Sequence, residues 1–198
     1  MTLLALSCQD DAFAKEAASI PIDESKLEAS RKSSDEAQRA RKIFSEELPK
    51  ALATIHETLG IRYPKNDTFK IIFLDESKGE AQAAAHVAIK ANDFTHIKVF
   101  LQGWTSRKKD EDLRSMVTHE MVHALQGLVM GGAAYKKQPA WFREALAVHV
   151  AQQGPSKLGW ALKRNGGKIE PILDGFSEGD DRAMLPVDYA EGCLGVKY

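Results

Sequence analysis

The decapeptide THEMVHALQG, residues 118–127, places two histidines four apart, with a glutamate directly after the first: His119, Glu120 and His123. This spacing restricts the fold sharply, because it carries chemistry only if the segment is helical. On an α-helix, positions i and i+4 lie about 40° apart on one face and roughly one turn apart along the axis. Two imidazoles so placed can converge on one Zn²⁺ at about 2.0–2.1 Å without strain. Glu120 lies about 100° round from His119, so it borders such an ion rather than binding it. That is where a base for a metal-activated water belongs. The competing reading is a surface helix that happens to carry two solvated histidines.

The surrounding residues predict the helix. From Asp112 to Leu128, the apolar residues Leu113, Met116, Val117, Met121, Ala124, Leu125 and Leu128 recur at spacings of three and four. Asp110, Glu111 and Asp112 precede them, putting acids at the positive end of the helix dipole together with a candidate N-cap. Gly131-Gly132 follows as a stop signal. A second, polar stripe runs through His119, His123 and Gln126, and the surface-helix reading leaves it unexplained.

A tetrahedral catalytic zinc needs a third protein ligand and one open position. One class of zinc enzyme takes a His six residues after the second; here that position is Val129, which excludes the class. Another takes a Glu from a following helix. Residues 139–153, PAWFREALAVHVAQQ, predict such a helix, with Pro139 near its first turn and Gly154 and Pro155 beyond its end. Glu144 lies 21 residues past His123, and a short loop over 129–138 lets the two helices return antiparallel. Trp141, Ala145, Val148 and Gln152 share one side of this helix, with Glu144 beside it. Small Ala145 and Ala147 permit the close approach of backbones that a shared metal requires. His149 competes as third ligand, but it lies about 140° round from Glu144, so both cannot easily face one ion. Glu144 is preferred because it completes a His-His-Glu set of known catalytic use.

HEMVHAL followed by QPAWFREALAVHVA resembles the gluzincin zinc metallopeptidases, most closely the peptidase MA-like family. That family shows HExxH and, some twenty residues later, a Pro-x-Trp-x-x-Glu-Gly-x-Ala segment. The resemblance is concentrated between Leu113 and Val150 and implies His119, His123 and Glu144 as metal ligands with Glu120 as the base. It also implies an α+β, zincin-like fold: a small mixed sheet packed on a metal-binding helix pair. Three positions depart from the pattern. Ala145 stands where Gly is usual and His149 where an aromatic is usual. Val148 occupies the place from which an Asp orients a zinc histidine in thermolysin-type enzymes, so the groups behind the ligands must be built differently.

Residues 15–40 are rich in Lys, Glu, Ser and Ala, and the chain is read as a mobile lead-in or signal remnant over 1–34 followed by one zincin-like domain over 35–198. A helix is expected over Ala37–Leu59, closed by Gly60, and a buried strand over FKIIFL (69–74). HVAIK (86–90) and HIKVFL (96–101) predict a hairpin that leads to the metal helix. His56, His86 and His96 lie on these elements and read as packing or surface residues. LGWALKR (158–164) suggests a short helix, and a Tyr-containing segment near the C-terminus is shorter than its counterpart in the family, as in a truncated version.

Composition sets limits on the partners. At 198 residues and 43 % hydrophobic, the chain can bury one sizeable core. A net charge of −1 gives no electrostatic case for nucleic acid, and no stretch approaches the ~20 apolar residues of a membrane span. Cys8 and Cys193 make neither a disulfide framework nor a CxxC zinc ribbon. LLALSC, ending at Cys8, resembles the tail of a lipoprotein signal, which would give a lipid anchor and an extracytoplasmic location.

The expected function is zinc-dependent hydrolysis of peptide bonds in a peptide or protein substrate, with Glu120 as general base. Tyr189 is the leading candidate for oxyanion stabilisation, with Tyr135 and His149 behind it. HIKVFL is expected to supply the sheet edge along which substrate binds. The alternatives are a zinc-binding domain without hydrolytic activity and a peptide-binding module with a vestigial site. Intact Glu120 weighs against both.

Overall fold

The computed structural model describes residues 3–75, 89–92, 94–101, 109–155 and 159. Tyr189, His86, the C-terminal tyrosine segment and nearly all of the expected 158–164 helix lie outside the described residues. The elements run α1 (Leu3–Ala18), β1 (Ile22–Asp23), α2 (Ala29–Lys32), α3 (Asp35–Leu59), β2 (Lys70–Leu74), β3 (Ile89–Asn92), β4 (His96–Phe100), α4 (Asp110–Met130), α5 (Gly132–Lys137) and α6 (Ala140–Val150). The architecture is α+β: helices packed against a small mixed sheet.

Local sequence explains most of these boundaries. Ser34 caps α3 by accepting from the Ala37 N–H, Asp35 and Glu36 fill its first turn, and Gly60 ends it in the left-handed conformation. Pro49 lies inside this helix, where a missing N–H and a ring clash cost about 3 kcal/mol. Burial of Ile43, Phe44, Leu48, Leu52 and Ile55 outweighs that cost. In β2 the alternation is strict: Phe69, Ile71 and Phe73 are buried while the residues between them are half-exposed. Ile71 pairs with Ile97 and Phe73 with Val99, so one apolar sheet face meets the helices, and Phe44 of α3 packs its ring on Phe73.

The sheet order is β1-β2-β4-β3; β1, β2 and β4 are parallel, and β3 runs antiparallel to β4. A hairpin is present, but its first strand is Ile89–Asn92 rather than 86–90, with Ala91 paired to Ile97 and Asn92 to His96. Residues 86–88 lie outside the described residues, and Phe94 in the connection has φ 57°. The expectation that HIKVFL forms the sheet edge is corrected: β4 is hydrogen-bonded on both sides, and among the described strands β3 is the edge beside it. A parallel partner, β2, takes the side that a lone hairpin would have left open.

Part of the expected lead-in contributes to the packed core. Residues before 35 carry α1 and β1, and Phe13, Ala17, Ile20 and Leu27 are buried in the same core as α3 and the sheet. Lys70 of β2 donates to Asp23 of β1 at 2.7 Å and holds the Asp23 carboxyl well below its usual range, helped by the Ser25 N–H. This sign gives stability that is present above the ordinary carboxylate pKa of about 4 and is lost as pH falls towards the depressed folded value. Asp23→Asn is expected to lower stability at pH 7 by up to about 1 kcal/mol, as for a partly exposed ion pair. In thermal melts, the gap between variant and native chain should shrink steadily below about pH 4.

Candidate metal centre

α4 is central to the molecule, and both of its stripes are buried. Its apolar side contributes Leu113, Val117, Met121 and Leu125 to the core, and its polar residues His119, His123 and Gln126 are only 8 %, 6 % and 4 % exposed. A surface helix with solvated histidines is therefore not what the chain forms. The helix begins two residues earlier than its apolar spacing predicts, so Asp110, Glu111 and Asp112 form its first turn and Lys109 takes the N-cap position without a side-chain bond. Ion pairs from Arg114 to Glu46 and Glu47, and from Arg39 to Asp110, fix its N-terminal half against α3. Gly131 (φ 82°) closes α4, and the expected loop over 129–138 winds into α5 before Pro139 starts α6.

α6 returns against α4 and brings Glu144 to the two histidines. Ala145 and Ala147 are fully buried, consistent with the close approach that small residues allow. Glu144 Oε2 lies 3.2 Å from His119 Nε2, Glu144 Oε1 lies 3.4 Å from His123 Nε2, and the two Nε2 atoms are 3.1 Å apart. His149 is exposed and takes no part. α6 ends at Val150, three residues short of expectation, because Gln152 rather than Gly154 takes the left-handed conformation (φ 54°). Glu120, half-buried on α4, is near enough for its charge to act on His123 and on Tyr135.

Charge in this cluster is balanced locally. Burial alone would raise the Glu144 carboxyl, but bonds to His119 and His123 outweigh it and hold that carboxyl well below the usual range. Burial alone would lower His123, but its bond to Glu144 and the charges of Glu144 and Glu120 outweigh that and raise it. The donor set suits a borderline-soft divalent ion: two imidazole nitrogens and a carboxylate, with ligand atoms within 4.8 Å of one another. The three separations found, 3.1, 3.2 and 3.4 Å, involve both Glu144 oxygens, one facing each ring. The same separations are hydrogen-bond lengths, so as it stands the cluster also describes ring N–H groups donating to Glu144.

Comparison with protein-family models, with curated proteins and with solved structures gives no match. The chemistry of the site rests on the residues themselves.

Two residues behind the histidines were not assigned this place from sequence. Tyr135, expected as a reserve oxyanion donor, is buried with its hydroxyl 2.8 Å from His123 Nδ1. Burial holds that hydroxyl above its usual pKa, and so neutral. Phe94 packs edge-on against Tyr135 with centroids 4.4 Å apart, and it also lies over Gly127. A Cβ on Gly127 would fall 1.8 Å from the Phe94 ring, so only glycine fits there. An isolated glycine inside a strong helical pattern was the available signal of that close packing. Val148 is fully buried and apolar, as its residue type implies.

Proposed function

We propose that His119, His123 and Glu144 hold one zinc ion and that the chain is a zinc-dependent metallopeptidase of gluzincin type, with a zincin-like arrangement of sheet and helix pair. The observation that carries this reading is the convergence of three buried or half-buried donors from two helices, with Glu120 directly after His119. Zinc in a three-ligand site supplies Lewis acidity, polarising a carbonyl and bringing a water pKa towards neutrality.

The protein groups have separate tasks. Glu144 would offset one unit of the ion's charge, and the i, i+4 spacing of α4 brings the two Nε2 atoms within 3.1 Å of each other. The Glu120 carboxylate takes a proton from the attacking water and hands it to the leaving amine. Edge strand β3 is the described strand with an open side next to β4 and α4, so an extended peptide would add there. Tyr189, the leading oxyanion candidate, keeps that role as a proposal.

Hydrolysis of an unstructured protein substrate such as casein tests the reading. Activity should disappear on chelation and return on adding about one equivalent of Zn²⁺ per chain. Activity indifferent to chelator, or no hydrolysis by zinc-loaded protein, would contradict it. Among the described residues no helix is long and apolar enough to cross a membrane.

A further inference from the structure

The buried side of the cluster holds an arrangement that the ligand set does not require. Metal-binding imidazoles are ordinarily fixed by a partner on the ring nitrogen away from the ion, most often a carboxylate or a carbonyl. His119 Nδ1 is buried and has no such partner among the described residues. His123 Nδ1 has one, the Tyr135 hydroxyl at 2.8 Å. The asymmetry makes Tyr135 the single side-chain hydroxyl seated behind the histidine pair among the described residues.

Two neighbours pack against the Tyr135 ring. Phe94 closes one side with a T-shaped contact, and the Arg143 guanidinium lies 4.8 Å above the ring centroid. Phe94 is itself held in the β3–β4 connection with φ 57°, unfavourable for a bulky residue, and its ring occupies the space a Gly127 side chain would fill. A path of direct contacts therefore runs from the sheet hairpin through Phe94 and Tyr135 to His123.

A hydroxyl also differs from a carboxylate in what it can exchange with the ring. A carboxylate only accepts, so it enforces Nδ1–H at all times. A hydroxyl can donate to a bare Nδ1, leaving the proton on Nε2 to face Glu144, or accept from Nδ1–H, leaving the Nε2 lone pair for an ion. The proton moves between ring nitrogens and none is created or lost within the ring.

On the basis of the zinc reading above, we propose that Tyr135 is the positioning residue for His123. Its hydroxyl, clamped by Phe94, orients the ring and accommodates both tautomers, so that Nε2 is freed when metal enters. Tyr135 touches neither ion nor substrate and acts through His123.

Tyr135→Phe keeps the ring contacts and removes only the hydroxyl. Two measurements on native chain and variant decide the case. Competition with a chromophoric chelator should show Zn²⁺ affinity falling about 10–100-fold, with the thermal melt of the metal-free protein little changed. Nitrogen-15 NMR of the zinc-loaded native chain should show a slowly exchanging His123 Nδ1–H that is lost or exchange-broadened in the variant. A purely structural role for Tyr135 would alter the melt and leave that resonance intact. Equal zinc affinity in the two proteins, or an unchanged Nδ1–H signal, overturns the assignment of Tyr135 and leaves the metal site standing. A native chain that binds no zinc overturns the site reading and this assignment with it.

Discussion

Glu120→Gln should keep its zinc and lose its hydrolysis, with kcat falling about 10²–10⁴-fold, the usual contribution of a positioned general base. Glutamine matches the size of glutamate and still forms hydrogen bonds, but it cannot accept a proton at neutral pH. Glu120 lies on α4 one position past His119, about 100° away from the line joining His119 and His123, so the ligand set does not include it. Its charge nevertheless acts on His123 and Tyr135, which places it at the border of the cluster. The measurement pairs a peptide-cleavage assay with metal analysis of the same preparation. Loss of zinc would make Glu120 a ligand. Retained activity would assign the proton transfer to another group.

The second large effect separates the two residues of α6 that competed as third ligand. Glu144→Ala should weaken Zn²⁺ binding by more than about 100-fold, beyond what loss of an outer partner costs, whereas His149→Ala should leave it nearly unchanged. Glu144 reaches both Nε2 atoms at 3.2 and 3.4 Å, while His149 is exposed on the same helix. Removing Glu144 also leaves two buried imidazoles 3.1 Å apart with no carboxylate between them. Glu144→Gln fills the same space without the charge and guards against a folding defect in the alanine variant. Zinc titration of all three variants checks the order. Tight binding by Glu144→Ala, or its loss in His149→Ala, would leave the His-His-Glu assignment without support.

The parts of this molecule that were legible in sequence are those fixed by short-range pattern. Apolar residues at spacings of three and four located α3, α4 and α6, and Gly60 and Gly131 marked real helix ends. Helix phase restricted the third partner on α6 to Glu144 or His149 but not both, and the choice of Glu144, which the cluster contains, came from the His-His-Glu set of known catalytic use. Long-range pairing left no comparable trace. Nothing local marks Ile22–Asp23 as a strand parallel to β2, and a polar lead-in with only scattered Phe13, Ala17, Ile20 and Leu27 hides its contribution to the core. Strand order is likewise absent from periodicity, so the burial of β4 between β2 and β3 could not be read. Tyr135 stood in a stretch read as loop between two glycines and Pro139, and its place behind His123 depends on α5 and on Phe94, 41 residues earlier in the chain.

X-ray absorption at the zinc edge, on protein stripped of metal and reloaded with one equivalent, examines the centre most directly. The expected result is one zinc per chain with two imidazole nitrogens at about 2.0–2.1 Å and carboxylate oxygen at about 2.0–2.2 Å. The same signature should vanish in a His119→Ala, His123→Ala double variant. A sulfur neighbour at about 2.3 Å, a spectrum unchanged in the double variant, or a native chain that retains no zinc would contradict a metal centre built from His119, His123 and Glu144.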